Sequence, residues 1–346
     1  MKASEKIIRF ILLNLIVGII MTMMLAQPSE LKVLLKQAGD GSYDTLVLGE
    51  SHGETGIDPY LLSDELGGKA YNLCWRCTPV LELEYLLKQA GQHHSLKTVI
   101  LEIDPTYWDD GISGDEGLDV DPFLYLTGSV RAEYFIKELL PQNYNETFFD
   151  YSITKTRLQR IPETLKCKFS LAYLKSDESV IPVIHSITGT TEHYEYRGRG
   201  FRYGISRSDA QFGEYQFQPE KVRPENLKAF QSIVDYCRRN GIRLVCVQTA
   251  LSPSRLRRDN FEKVHSYYAD LCRKYEVPFY DLNYLKQGIL NRTDADYVDL
   301  DGHPLGTLAE QQTSVIAQLM KSSSPDSYFC SSRQEVLDGL PAEGDK

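Results

Sequence analysis

Residues 44–53 read Asp-Thr-Leu-Val-Leu-Gly-Glu-Ser-His-Gly, an apolar run of strand length that stops at Gly49 and passes straight into polar residues suited to start a helix. A continuous apolar run bounded in this way marks a strand buried on both faces, the kind found in parallel sheets. The pattern recurs at 69–73 (KAYNL), 97–103 (KTVILEI), 242–248 (IRLVCVQ) and 277–282 (VPFYDL). Helical patterns fall around and between these runs, at 29–38, 58–65, 78–90, 224–240, 254–275 and 304–321. The segment 58–65 opens with Asp-Pro, a good helix start, and Pro79 occupies a first turn. Strands alternating with helices predict an α/β fold: a three-layer α/β/α sandwich of flavodoxin-like type with about five parallel strands.

Outward from that frame, residues 105–220 break the alternation and read as an insertion capping one end of the sheet. It holds a Gly/Asp loop at 109–121 (DDGISGDEGLDVD) and an aromatic, basic stretch at 194–203 (YEYRGRGFRY). Residues 322–346 are polar and predict a disordered tail. The expected organisation is therefore 1–27 as cytoplasmic stub and anchor, 28–321 as one domain and 322–346 as tail.

The composition, 42% hydrophobic and 25% charged, suits a globular domain with a core of useful size. The net charge of −10, with no cluster of Lys and Arg, disfavours nucleic acid as a partner. Twenty-two Tyr against two Trp would suit a carbohydrate-like ligand surface, although half-buried packing is the commoner use of Tyr. Lys2, Lys6 and Arg9 precede the apolar run FILLNLIVGIIMTMMLA, and Ile7 to Ala26 is twenty residues, about enough to cross a hydrocarbon core. Cations before the run predict a single-pass helix in the cytoplasmic membrane with the domain outside. The competing reading is a cleaved signal, with Met24-Leu25-Ala26 as a loose cleavage site and secretion as the result. The seven Cys are scattered and odd in number, so they describe no disulfide framework. Cys74 and Cys77 have redox-motif spacing without a second pair to hold zinc.

Chemistry collects at two places. Ser51 follows the first strand, at the carboxyl edge where open parallel sheets bind ligands. Its hydroxyl would lie near N–H groups of the following helix, which can hold an oxyanion. A Ser there needs an imidazole to take its proton and a carboxylate to orient that imidazole. Both are offered by Val298-Asp299-Leu300-Asp301-Gly302-His303, just before the last helix. Taken singly, Ser51 is also a good N-cap residue, and His303 also reads as a solvated imidazole. Their joint placement at opposite ends of an α/β chain favours catalysis.

The stretch 44–107 (DTLVLGESHGETGIDPYLL…YNL…LEYLLKQ…KTVILEIDPTY) resembles the first half of a bacterial cell-surface group in the SGNH (GDSL-like) hydrolase superfamily, whose members often carry Gly-x-Ser-His, Gly-Ile-Asp-Pro and Tyr-Asn-Leu. Residues 195–204 and 243–321 resemble its second half. The resemblance covers most of the chain and is weakest in the insertion. It implies Ser51 as nucleophile, His303 as base and a preceding Asp as orienting acid. The superfamily usually places that Asp three residues before the His, where this chain has Leu300. Asp299 and Asp301 flank the position, and Asp299 is favoured because it follows Tyr297-Val298 as the family's acid follows an apolar strand end. For the oxyanion, the Ser51 amide and Asn72 are the candidates; no second Gly motif is visible.

His52, Arg197 and Arg199 are weaker candidates for substrate binding, with Arg202 beside them. Asp115, Asp119 and Asp121 match no calcium loop, and Asn145 begins a formal glycosylation sequon without meaning in a bacterial chain. No metal or cofactor is expected. The implied activity is ester hydrolysis or acetyl or alanyl transfer on an envelope glycan or teichoic-type polymer, alongside a membrane acyltransferase. The alternative is an inactive accessory or scaffold protein of polymer modification.

Overall fold

A computed structural model describes residues 3–40, 43–92, 96–109, 121–141, 158–189, 192–210 and 213–341. The strands are β1 (Thr45–Leu48), β2 (Ala70–Asn72), β3 (Thr98–Glu102), β4 (Tyr194–Tyr196), β5 (Arg202–Gly204), β6 (Arg243–Gln248) and β7 (Phe279–Asp281). All five apolar runs join one parallel sheet in the order β2-β1-β3-β6-β7, while β4 and β5 form a separate antiparallel hairpin. Counted along the parallel strands this is 2-1-3-4-5, the flavodoxin-like order, in which the chain reverses direction across β1 and β3.

The helices are α1 (Ala3–Leu25), α2 (Glu30–Asp40), α3 (Ser51–Gly56), α4 (Pro59–Leu66), α5 (Val80–Ala90), α6 (Asp121–Tyr125), α7 (Gly128–Tyr134), α8 (Ile161–Lys168), α9 (Leu171–Lys175), α10 (Ile181–Thr188), α11 (Pro224–Arg239), α12 (Pro253–Arg258), α13 (Phe261–Lys274), α14 (Gly306–Lys321) and α15 (Arg333–Asp338). Side chains alternate across the sheet, as the pleat requires. Leu46, Leu48, Val99, Leu101, Leu244 and Cys246 face a core shared with α2, α5, α11 and α13. Val47, Ile100, Val245 and Val247 face a second core shared with α4 and α14. Both faces are therefore covered, and three layers result.

Several expectations change. The patterned segment 254–275 is two helices: Asp259 takes an extended backbone after α12, and the Asn260 side chain is bonded to the Phe217 backbone before α13 begins. Among its described residues the insertion holds α6–α10 as well as the β4–β5 hairpin. The segment 322–341 is folded, not a disordered tail: Phe329 bridges to Leu285, and α15 buries Val336 on a small core with Leu251, Leu256, Phe261 and Tyr284. A few apolar residues at the right spacing outweigh its polar composition. Residues 342–346, Asp115, Asp119 and Asn145 lie outside the described residues. All seven cysteines are free thiols.

The expected transmembrane helix is not supported. The helix α1 does form, and Ile7, Phe10, Leu13, Ile16 and Ile20 on it are at least half exposed. It begins at Ala3, however, so Glu5, Lys6 and Arg9 take up its first turns. Among the described residues no helix is long and apolar enough to cross a membrane.

Candidate active site

The turn after β1 is tight. Gly49 has φ +155°, and a Cβ there would meet Glu102 at 2.6 Å, so a side chain is excluded where β1 passes β3. The Glu102 carboxylate accepts from the Glu50 amide at 2.9 Å, and Glu50 in turn accepts from the Thr78 amide at 2.8 Å. These bonds fix the start of α3, whose first residue is Ser51. Burial, with the Asp104 carboxylate beside it, pushes the Glu102 carboxyl up to about 7; burial likewise pushes Glu50 well above the usual carboxylate range.

His303 arrives from the other end of the chain on a small hairpin. The Val298 amide donates to the His303 carbonyl at 2.8 Å, and Tyr297 bridges to Pro304. Gly302, with φ +115°, makes the sharp turn; a Cβ there would press on Leu251 at 2.9 Å and on His52. Asp299 organises the loop by accepting from the Asp301 amide at 3.1 Å. The turn places residues four apart side by side, so Asp299 meets His303 Nδ1 at 2.9 Å despite the unusual spacing. His303 Nε2 lies 2.8 Å from Ser51 Oγ. Burial raises the Asp299 carboxyl, but His303 and then His52 overcome this and hold it below its ordinary value.

One protonation of this chain of contacts leaves His303 able to act as a base. Ionised Asp299 accepts from Nδ1–H, leaving the Nε2 lone pair to accept from the Ser51 hydroxyl. Asp301 is used differently. Its carboxylate pairs with Arg255 at 2.7 Å, and its carbonyl accepts from both Arg255 and His52. Sequence spacing leaves the two aspartates nearly equivalent; the structure separates them because α12 brings Arg255 to one of them.

Asn72 is corrected from an oxyanion donor to a structural residue. Its amide nitrogen donates to the Gly53 and Ile57 carbonyls at 2.8 and 2.9 Å, and its oxygen accepts from the Cys74 amide. Both amide protons are spent tying α3 to β2. The two weaker arginines are also spoken for. Arg197 pairs with Glu195 and covers the Tyr203 ring, while Arg199 donates to Ser63 and stacks over Tyr60. Arg197 braces the β4–β5 hairpin internally, and Arg199 fastens its turn to α4.

Two features were not legible. His52 Nδ1 meets Asp104 at 2.5 Å, and its ring stacks on His303 with centroids 4.6 Å apart. The Asp-Pro ending of the run at 97–103 was the available sign of a carboxylate at the sheet edge. Arg202 is buried at the far end of α3, pairing with Glu54 at 2.9 Å and with Glu30, and lying 3.0 Å from His185. Burial opposes its charge, yet Arg202, His185 and Arg76 hold the Glu30 carboxyl well below the usual range. Three arginines in one aromatic, basic stretch gave no sign of which of them is buried.

As to metals, His52, Asp301 and His303 could each offer one ligand atom within 4.8 Å of the others. Both histidine Nε2 atoms and the Asp301 carboxylate are nonetheless committed, to Asp301 O, Ser51 and Arg255. A cavity lined by His52, but not by Ser51, His303 or Asp299, holds about 20 Å³, room for a single water and not for an acyl group. No protein-family model matches the chain, and no curated protein matches it.

Proposed function

We propose that the chain is a serine-dependent esterase or O-acyltransferase of SGNH type. The observation that carries this reading is the Ser51–His303–Asp299 relay, with contacts of 2.8 and 2.9 Å at the carboxyl edge of a parallel sheet. In the proposed reaction His303 Nε2 takes the Ser51 proton as Oγ attacks an ester carbonyl. Asp299 keeps Nδ1–H oriented and offsets the charge on the imidazolium. The Ser51 amide, at the first turn of α3, is the donor left for the oxyanion. His303 then returns its proton to the departing alcohol, leaving acyl-Ser51. Water or a sugar hydroxyl gives up a proton to His303 and attacks the acyl carbon, releasing acid or a new ester and restoring Ser51.

The resemblance of the Gly-x-Ser-His and Gly-Ile-Asp-Pro segments to the cell-surface group supports an envelope glycan or teichoic-type polymer as substrate or acceptor. The cations before the apolar run support a place at the cytoplasmic membrane with the domain outside, and the same resemblance supports a membrane acyltransferase as partner. The exposed apolar side chains of α1 are in keeping with attachment there.

The test is labelling with a fluorophosphonate, which reacts only with an activated serine. Stoichiometric labelling mapped to Ser51 by peptide mass, and lost in Ser51→Ala and His303→Ala, is expected. A folded protein that stays unlabelled, with glycan binding that survives Ser51→Ala, would replace the enzyme by an accessory protein.

A further inference from the structure

Two imidazole–carboxylate pairs lie ring on ring at the sheet edge, and their partners differ in kind. His303 Nε2 faces the Ser51 hydroxyl, which has a proton to give. His52 faces acceptors on both sides: the Asp104 carboxylate on Nδ1 at 2.5 Å and the Asp301 backbone carbonyl on Nε2 at 3.1 Å. A carbonyl and an ionised carboxylate donate nothing, so both His52 nitrogens must carry protons for both bonds to exist. Asp104 is held ionised: the Thr106 amide and hydroxyl both donate to its other oxygen, and His52 and Arg255 outweigh burial and hold its carboxyl well below the usual carboxylate range.

The charged surroundings agree. His52 faces Asp104 and Glu102 from the end of β3, Asp299, Asp301 and His303 from the hairpin loop, and Arg255 from α12. Arg255 is answered by Asp301 and Asp259. Burial lowers the His52 imidazole, but Asp104 outweighs burial and lifts it to about 9. A fixed cation therefore lies stacked on the ring of the proposed base, 4.6 Å away with 26° between the planes.

We propose that His52 is a positioning residue: clamped as a cation between Asp104 and the Asp301 carbonyl, it keeps the stacked His303 unprotonated and so ready to take the Ser51 proton. The inference rests on reading His303 as the base of Ser51. Asp299 accepts from His303 Nδ1–H and so favours the imidazolium. A second cation against the same ring opposes this, and like charges at such range displace a titration by roughly one unit or more. The expected consequence is a site that stays active at acidic pH.

The test uses protein with selectively ¹³C-labelled histidine, the His303 signal being assigned by its loss in His303→Ala. In His52→Gln, which keeps a polar side chain but no charge, the His303 midpoint is expected to rise by about one pH unit. The acid limb of kcat/KM on a small chromogenic ester should move by the same amount. Asp104→Asn, which releases the His52 proton, should reproduce the shift and serves if His52→Gln does not fold. A His303 midpoint unmoved in either folded variant overturns the proposal. Fluorophosphonate labelling separates the two readings: a shifted midpoint without Ser51 labelling supports the charge coupling and sinks only the assignment of Ser51 as nucleophile.

Discussion

The six-residue helix α3 has charged groups at both ends, and the two ends are built on opposite lines. At its start Ser51 meets His303 and Asp299, whose side chains keep 13% and 9% exposure and whose protons have somewhere to go. At its far end Glu54 meets Arg202 and Glu30, with side chains 2–6% exposed and no solvent to exchange with. Ionic groups of the first kind can move a proton; those of the second can only hold a position. A buried ion pair also contributes little net stability, yet losing one partner strands the other, which is what makes such a cluster an unforgiving clamp.

That contrast breaks or stands on a graded set of measurements. At the open end, Ser51→Ala should lower ester turnover by about a thousandfold or more while changing stability by less than about 0.5 kcal/mol. At the closed end, Arg202→Met should do the reverse in kind, destabilising by about 3–5 kcal/mol in denaturant titration because Glu30 and Glu54 stay buried after losing their nearest cation. A loss below about 1 kcal/mol there would mean that the cluster clamps nothing. Asp299→Asn should cost about 10²–10⁴ in kcat by removing the acceptor that sets the His303 tautomer. Asp301→Asn, which only weakens the Arg255 contact, should cost about tenfold or less; equal losses would erase the distinction between the two aspartates. A last effect is on stability against pH. His52 binds its proton more tightly when folded, at about 9 against an ordinary 6.5. Its contribution is therefore complete below about pH 6.5 and lost as pH rises through 9, and His52→Gln should flatten that slope in thermal melts.

Much of the scaffold was legible because each central strand is buried on both faces. The runs at 44–49, 97–103 and 242–248 admit no other economical reading, and the strands fall within them. The ends of elements were less so, since the break between α12 and α13 falls where the Asn260 side chain bonds the backbone of Phe217, 43 positions away. At the candidate site, Ser51 and His303 were recognisable from position and residue type. What decided between Asp299 and Asp301 was the arrival of Arg255 from another element, and no spacing rule contains that. Asn72 misled for a related reason. A strand-end Asn suits an oxyanion donor, but the carbonyls of Gly53 and Ile57 took both of its protons. The C-terminal segment misled through composition, because a mean polarity hides four or five apolar side chains that find a seat.

Isolated helices as short as α3 do not persist, so its place is imposed from outside. The partners that impose it come from Glu30 and Asn72 near one end of the chain, Arg202 in the middle and Gln312, which donates to the Gly56 carbonyl, near the other. Closing contacts over such separations is slow, and those loops must be shut before the helix is framed. Ser51 and His303 are 252 positions apart. They come into register only when the two ends of the chain have been brought together, so a half-assembled copy can carry the residues of the relay without the relay itself.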